Sequence, residues 1–161
     1  MAAPGERKYF LCIFFSVLGI FIGLSVFAVF GLHYKNWNAS LWGLCSAIPA
    51  LITCIVHVRN RRRKYELCPE RLKMYMLTGC FVQLTGVCGF VTYMTLAITL
   101  KQGLLIYGNG YYLTCVWCFM VWKWGFLLFY FSRVYWREHQ CMYTVLPAET
   151  TQEVKVPRYG T

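Results

Sequence analysis

The chain has 161 residues, of which 58% are hydrophobic and 14% charged, with a formal net charge of +10. Soluble domains average ~45–50% apolar and ~25% charged residues, so this composition excludes an ordinary soluble domain. A basic surplus of this size would suit nucleic acid on a soluble face. Here it sits between long apolar stretches, and no nucleic-acid partner is expected.

Four apolar stretches are predicted as membrane spans, at about 9–32, 41–58, 74–99 and 112–132. Each approaches or exceeds the ~18–20 residues that cross a ~30 Å hydrocarbon core. Lipid cannot satisfy backbone polar groups, so such segments must be helices. The expectation is an all-α, polytopic bundle: one transmembrane domain over 1–140 and a cytosolic tail over 141–161.

The first stretch, "YFLCIFFSVLGIFIGLSVFAVFGL", far exceeds the ~7–15 residues of a signal-peptide core, and reads as a retained helix. Its Gly19-x-x-x-Gly23 fits close helix packing, either between two copies of the chain or against a helix of the same chain. The short connection "HYKNWNAS" contains Asn38-Ala39-Ser40, a glycosylation sequon by pattern, lying so close to the second span that poor use is expected. In the second stretch Pro49 frees a carbonyl that the bundle must satisfy, and His57 lies one turn from the membrane edge.

The following loop, "RNRRRKYELCPERLK", holds seven of the sixteen basic residues. Arg7 and Lys8 precede the first span, and Arg133, Arg137, Lys155 and Arg158 follow the last. The other two connections carry only Lys35 and Lys101. By the positive-inside rule both termini are cytosolic, and the basic segments also suit anionic lipid heads. The third stretch carries Gly79, Gly86 and Gly89 with Thr78, Thr85, Thr92, Thr95 and Thr99. It is expected to be the most enclosed helix. After the loop "LKQGLLIYGNGY" the fourth span begins. Beyond it, Tyr143-Thr-Val-Leu146 has the Tyr-x-x-apolar pattern of endocytic sorting signals, which suggests adaptor proteins as partners.

Seven of the nine cysteines lie in spans, while Cys68 and Cys141 fall on the cytosolic side, so no extracellular disulfide framework is implied. No P-loop is present and no long soluble segment exists to house a conventional catalytic domain, so an enzyme is not expected.

The chemistry concentrates in "CVWCFMVWKWGFLLFY", where Lys123 stands near the middle of a membrane span. A charge there costs ~2.5–3.5 kcal/mol on insertion scales, and something normally compensates it. There is no aspartate, and all six glutamates fall in cytosolic segments, so a carboxylate relay for protons or metal cations is absent. Basic groups without acidic partners suit an anionic cargo. At 100° per residue one face reads Tyr112, Val116, Phe119, Lys123, Leu127, Tyr130. A flat apolar molecule bearing carboxylates fits such a stripe, its acids reaching Lys123 or Arg133. His57, Tyr107, Tyr111, Tyr112 and Tyr135 offer nitrogen or oxygen ligands to iron, and histidine and tyrosinate are usual haem ligands. Blander roles compete with each: snorkelling for Lys123, an interface marker for His57, the aromatic belt for the tyrosines, and topology for Arg133.

"LAITLKQGLLIYGNGYYLTCVWCFMVWKWGFLLFYFSRVYW" resembles the haem-responsive (HRG) haem transporter family, and "ALITCIVHV" resembles that family's histidine-bearing second span. The likeness runs from about Ala50 to Tyr135, and its "KW.FLL" frame is the most specific part. It implies four spans with cytosolic termini and movement of haem from an extracellular or lumenal space to the cytosol. The family's span-2 histidine matches His57, and its aromatic-small-basic-x-Tyr motif matches Phe131-Ser132-Arg133-Val134-Tyr135. The second basic residue of that motif is replaced by Val134. The family's exoplasmic-loop histidine has no counterpart, so Tyr107, Tyr111 or Tyr112 would stand in for it.

The resulting expectation is a relay: capture near Tyr107, Tyr111 and Tyr112, carboxylates drawn by Lys123, iron held by His57, and release through Arg133 and Tyr135. Haem is then a transported ligand, with no permanent cofactor. A homo-oligomer would widen so thin a bundle, and the plasma membrane, endosome or lysosome is the expected location. Two rivals remain. Cys115-x-x-Cys118 in the fourth span resembles the thiol pair of vitamin K epoxide reductases, although neither exoplasmic loop carries a partner pair. A cargo-free tetraspan scaffold is the other.

Overall fold

The computed structural model describes residues 4–62 and 69–153, with side chains described from 9 to 60 and from 70 to 140 except His139. Arg63, Lys64 and Cys68 of the basic loop lie outside the described residues, as do the side chains of Cys141, Tyr143 and Leu146.

Four helices form: α1 (Pro4–Ala28), α2 (Trp37–Arg62), α3 (Pro69–Thr99) and α4 (Tyr111–Glu153). A π-helical turn over Val29–His33 extends α1. All four are long and apolar enough to cross a membrane, over Tyr9–His33, Trp37–Asn60, Glu70–Thr99 and Tyr111–Glu138. The expected all-α polytopic bundle is what the chain builds.

Helix ends fall where local chemistry puts them, beyond the apolar stretches. The buried Asn36 caps α2, its Oδ1 accepting from the Ala39 N–H at 3.1 Å, so α2 starts at Trp37 and not at residue 41. α3 starts at Pro69, a residue type tolerated in a first turn where no N–H is needed. α4 continues past residue 132 into charged sequence, because no glycine or proline interrupts residues 126–146. Gly108, at φ +73°, turns the α3–α4 loop so that its N–H donates to the Tyr34 carbonyl at 3.2 Å. This ties the α1–α2 and α3–α4 connections together.

α1 packs on α2, α2 on α4, and α3 on α4, whereas α1 and α4 make little direct contact. The α3–α4 seam is built from glycine. A Cβ on Gly79 would stand 2.8 Å from the Phe129 backbone nitrogen, and one on Gly86 would stand 2.7 Å from that of Trp122. Gly125 answers from α4, against the Gly79 carbonyl. Helices that close leave no room for side chains between them, which is how small residues drive packing in lipid.

One open alternative is decided here and one sequence expectation is corrected. Gly23 abuts the Gly43 carbonyl and Ala47 of α2, and Gly19 lies under the Trp124 ring, so the Gly19/Gly23 pair serves contacts within the chain. And α3 is the least enclosed span: 17% of its membrane window is buried, against 50% for α2. Its threonines do not glue it to neighbours. Thr85, Thr92, Thr95 and Thr99 are exposed and Thr78 is half-buried, and all five donate to carbonyls of their own helix four residues back, at 2.8–2.9 Å. A hydroxyl satisfied this way can face lipid without an unpaired donor.

Candidate functional site

Where α1 and α4 part, a cavity of about 260 Å³ lies between α1, α2 and α4. His57, Lys123, Trp117, Trp124 and Phe131 stand on its walls, and no carboxylate does. Its α1 wall includes Phe15, Leu18 and Ile22, all substantially exposed on the outer surface of the bundle, so the cavity communicates sideways with the bilayer. The volume falls just under the ~300–1,000 Å³ of pockets that enclose drug-sized ligands. A large flat ligand would therefore extend out between α1 and α4.

His57 is fully buried. Its Nδ1 lies 2.7 Å from the Tyr135 hydroxyl, while its Nε2 is buried with no hydrogen-bond partner. Phe131 packs edge-on against the imidazole, ring centres 4.5 Å apart. Tyr135 in turn lies parallel to Tyr9 at 6.3 Å, and the Tyr9 hydroxyl accepts from Asn60 Nδ2 at 2.8 Å. Residues from α1, α2 and α4 thus fix the orientation of one imidazole. In the tautomer whose Nδ1–H donates to Tyr135, the lone pair of Nε2 is left for a metal, the usual arrangement in which a ligating histidine is oriented through its other nitrogen.

Lys123 borders the same cavity. Its Nζ sits 5.5 Å from the centre of the Trp124 ring, and no ion pair holds it among the described residues. The indole face offers the ammonium a cation–π contact, but no counter-anion. A cavity lined by one cation and no acid attracts anions.

The remaining sequence candidates scatter. Of the outer stripe on α4, Lys123 and Leu127 line the cavity, Lys123 while itself exposed, and Val116, Phe119 and Tyr130 are exposed on the bundle surface. Arg133 is exposed, two residues and roughly 200° around the helix from the inward Tyr135, so those two do not share a site. Tyr107 is exposed and meets Tyr34 edge-on at 5.1 Å, with His33 beside Tyr34 at 4.8 Å. Tyr111 faces Tyr93 at 6.0 Å, and Tyr112 is half-buried nearby. Asn38 sits in the first turn of α2, where Ser40 of its sequon is buried and donates to the Phe27 carbonyl at 2.9 Å.

Cys115 and Cys118 are both buried free thiols; the Cys115 thiol lies 3.9 Å from the Phe90 carbonyl of α3, and Cys118 Sγ lies against Gly89. Neither lines the cavity. Sequence inspection passed over three participants: Tyr9, Asn60 and Trp117. The first two are ordinary interface residues by position, and only their pairing across 51 residues marks them.

A sequence model of the family described as "Haem-transporter, endosomal/lysosomal, haem-responsive gene" (HRG) matches residues 72–124. The chain is also similar to heme transporter hrg-1 of Caenorhabditis elegans, 29% identical over 126 residues, which covers 73% of this chain and 63% of that relative. The chain thus spans under two thirds of the length of that curated relative. No solved structure matches it. Both findings bear out the resemblance read from the sequence.

Proposed function

We propose that this chain transports haem across a membrane, from the extracellular or endolysosomal lumen to the cytosol. The observation that carries this reading is the buried His57: one ring nitrogen is tied to Tyr135, the other is unpartnered, and the ring stands on a cavity wall that also carries Lys123. An iron ligand and an unpaired cation on one apolar, acid-free cavity match a flat metal-bearing diacid. They do not match an inorganic ion. The likeness to the haem-responsive family supports the same cargo.

In this reading haem arrives near Tyr107, Tyr111 and Tyr112 at the exoplasmic ends of the helices. Its carboxylates are drawn to Lys123, and His57 Nε2 takes the iron. The exposed Arg133 attracts the carboxylates at the cytosolic end, where Tyr135 acts through His57. Sites in series must each bind weakly enough to release, and a lone imidazole with one cation meets that need. The parting of α1 from α4 gives a macrocycle larger than the cavity a sideways path. A homo-oligomer and residence in the plasma membrane, endosome or lysosome belong to the same proposal.

The test is haem uptake into proteoliposomes containing the purified protein. Wild-type protein should load haem at a rate that His57→Ala lowers about tenfold or more, as expected when a ligand worth ~1.4 kcal/mol or more is removed. Equal uptake by the two, at equal incorporation, refutes the reading.

A further inference from the structure

Trp117 has no part in the relay above, yet it stands on the same cavity wall. Its side chain is 9% exposed and packs with Val26 and Ala39, near the exoplasmic ends of α1 and α2. Its indole Nε1 is buried with no hydrogen-bond partner. Buried donors are normally paired, and an indole N–H can only donate. The wall's hydroxyls are committed elsewhere: Ser16 donates to the Cys12 carbonyl at 2.9 Å, Ser46 to Gly43 at 2.7 Å, and Thr53 to Pro49 at 2.7 Å. Those groups present only acceptor lone pairs to a ligand, which suits no carboxylate. Trp117 carries an uncommitted donor, buried at the cavity wall.

Position along α4 agrees. Trp117 lies six residues, about 9 Å, to the exoplasmic side of Lys123, and Phe131, which touches His57, lies eight residues, about 12 Å, to the other side. The cavity therefore has a donor-and-cation end and an imidazole end.

We infer that Trp117 is a cargo-binding residue: its indole N–H donates to one carboxylate of the transported diacid while Lys123 pairs with the other. This rests on the haem-transport reading and adds an orientation to it, with the carboxylate edge toward the exoplasmic end and the metal toward His57. An N–H to a carboxylate is a charge-assisted bond, strengthened where water is excluded.

The experiment compares ferric haem with its dimethyl ester, in which both carboxylates are masked, by Soret titration of the purified protein in detergent. Trp117→Phe keeps a ring on Val26 and Ala39 and removes the N–H. It should bind free haem about 10- to 100-fold more weakly than wild type while binding the diester equally well. His57→Ala should change the spectrum of bound haem yet keep the preference for free acid over ester. If Trp117→Phe fails to fold, a benzothienyl analogue of tryptophan at position 117 has the same outline without the N–H and must give the same selective loss. Equal loss for acid and ester, or no loss, overturns the inference and leaves the His57 site standing. A wild-type protein that shows no Soret change with haem overturns both.

Discussion

Tyr135→Phe separates two roles proposed for this tyrosine of α4, direct iron ligand or holder of His57. The substitution keeps the ring, so the parallel stack on Tyr9 and the cluster with Val56, Leu72 and Leu128 survive. What goes is one hydroxyl, 2.7 Å from a fully buried imidazole nitrogen. His57 Nε2 already lacks a partner, so the variant buries an imidazole with neither nitrogen satisfied. Stability should fall by about 1–3 kcal/mol, the desolvation penalty of an unpaired buried group. With no acceptor to fix Nδ1–H, the tautomer and ring orientation that free Nε2 are lost as well. Removing such an outer partner typically lowers metal affinity ~10–100-fold. The assay is thermal unfolding in detergent beside a ferric haem titration that follows both the dissociation constant and the Soret position. Weaker binding with an unchanged histidine-type spectrum is the expected result. A spectrum that changes ligand type would make Tyr135 a ligand in its own right. Unaltered affinity would refute the orienting role altogether.

Two further substitutions test the architecture that holds the cavity open. Gly86→Val places a Cβ 2.7 Å from the Trp122 backbone nitrogen, which no rotamer relieves, and should cost about 1–3 kcal/mol, read as a lower unfolding temperature and reduced abundance. Thr92→Val removes a hydroxyl bonded only to its own helix on the exposed face of α3, and should stay within about 0.5 kcal/mol of wild type in the same scan. A loss as large as that of Gly86→Val would mean that the α3 face is covered by another molecule.

The sequence revealed spans, charge distribution and the two ionisable groups at depth, because each is a one-dimensional property. Apolar length determines a membrane helix, and a lysine or histidine inside one stands out by composition alone. Facing is different. The stripe through Lys123 repeats along one face of α4, but helical periodicity states which residues share a face and not which face meets protein. In lipid the outer face is as apolar as the inner one, so the hydrophobic contrast that orients a helix in water is missing. That is why Val116, Phe119 and Tyr130 turned outward. The threonines of α3 misled for a related reason: a polar atom was taken as a mark of enclosure, whereas a helix carbonyl four residues back satisfies it in place.

Glycine gave the better signal, since a missing Cβ has little use on a lipid-facing surface. Gly79 and Gly86 locate the α3–α4 seam, and Gly19 and Gly23 locate the contacts of α1. These two sets of contacts fix where the bundle is tight, and so where it is loose. α3 and α4 close on backbone and cannot separate without losing their packing. α1 is held mainly by α2, and it touches α4 through the Trp124 ring over Gly19 and the Tyr9–Tyr135 stack. A cargo wider than a 260 Å³ cavity must therefore part α1 from α4. On the proposed path it would meet the residues whose donors and lone pairs are unanswered: Trp117, then Lys123 about 9 Å further along α4, and His57 beyond.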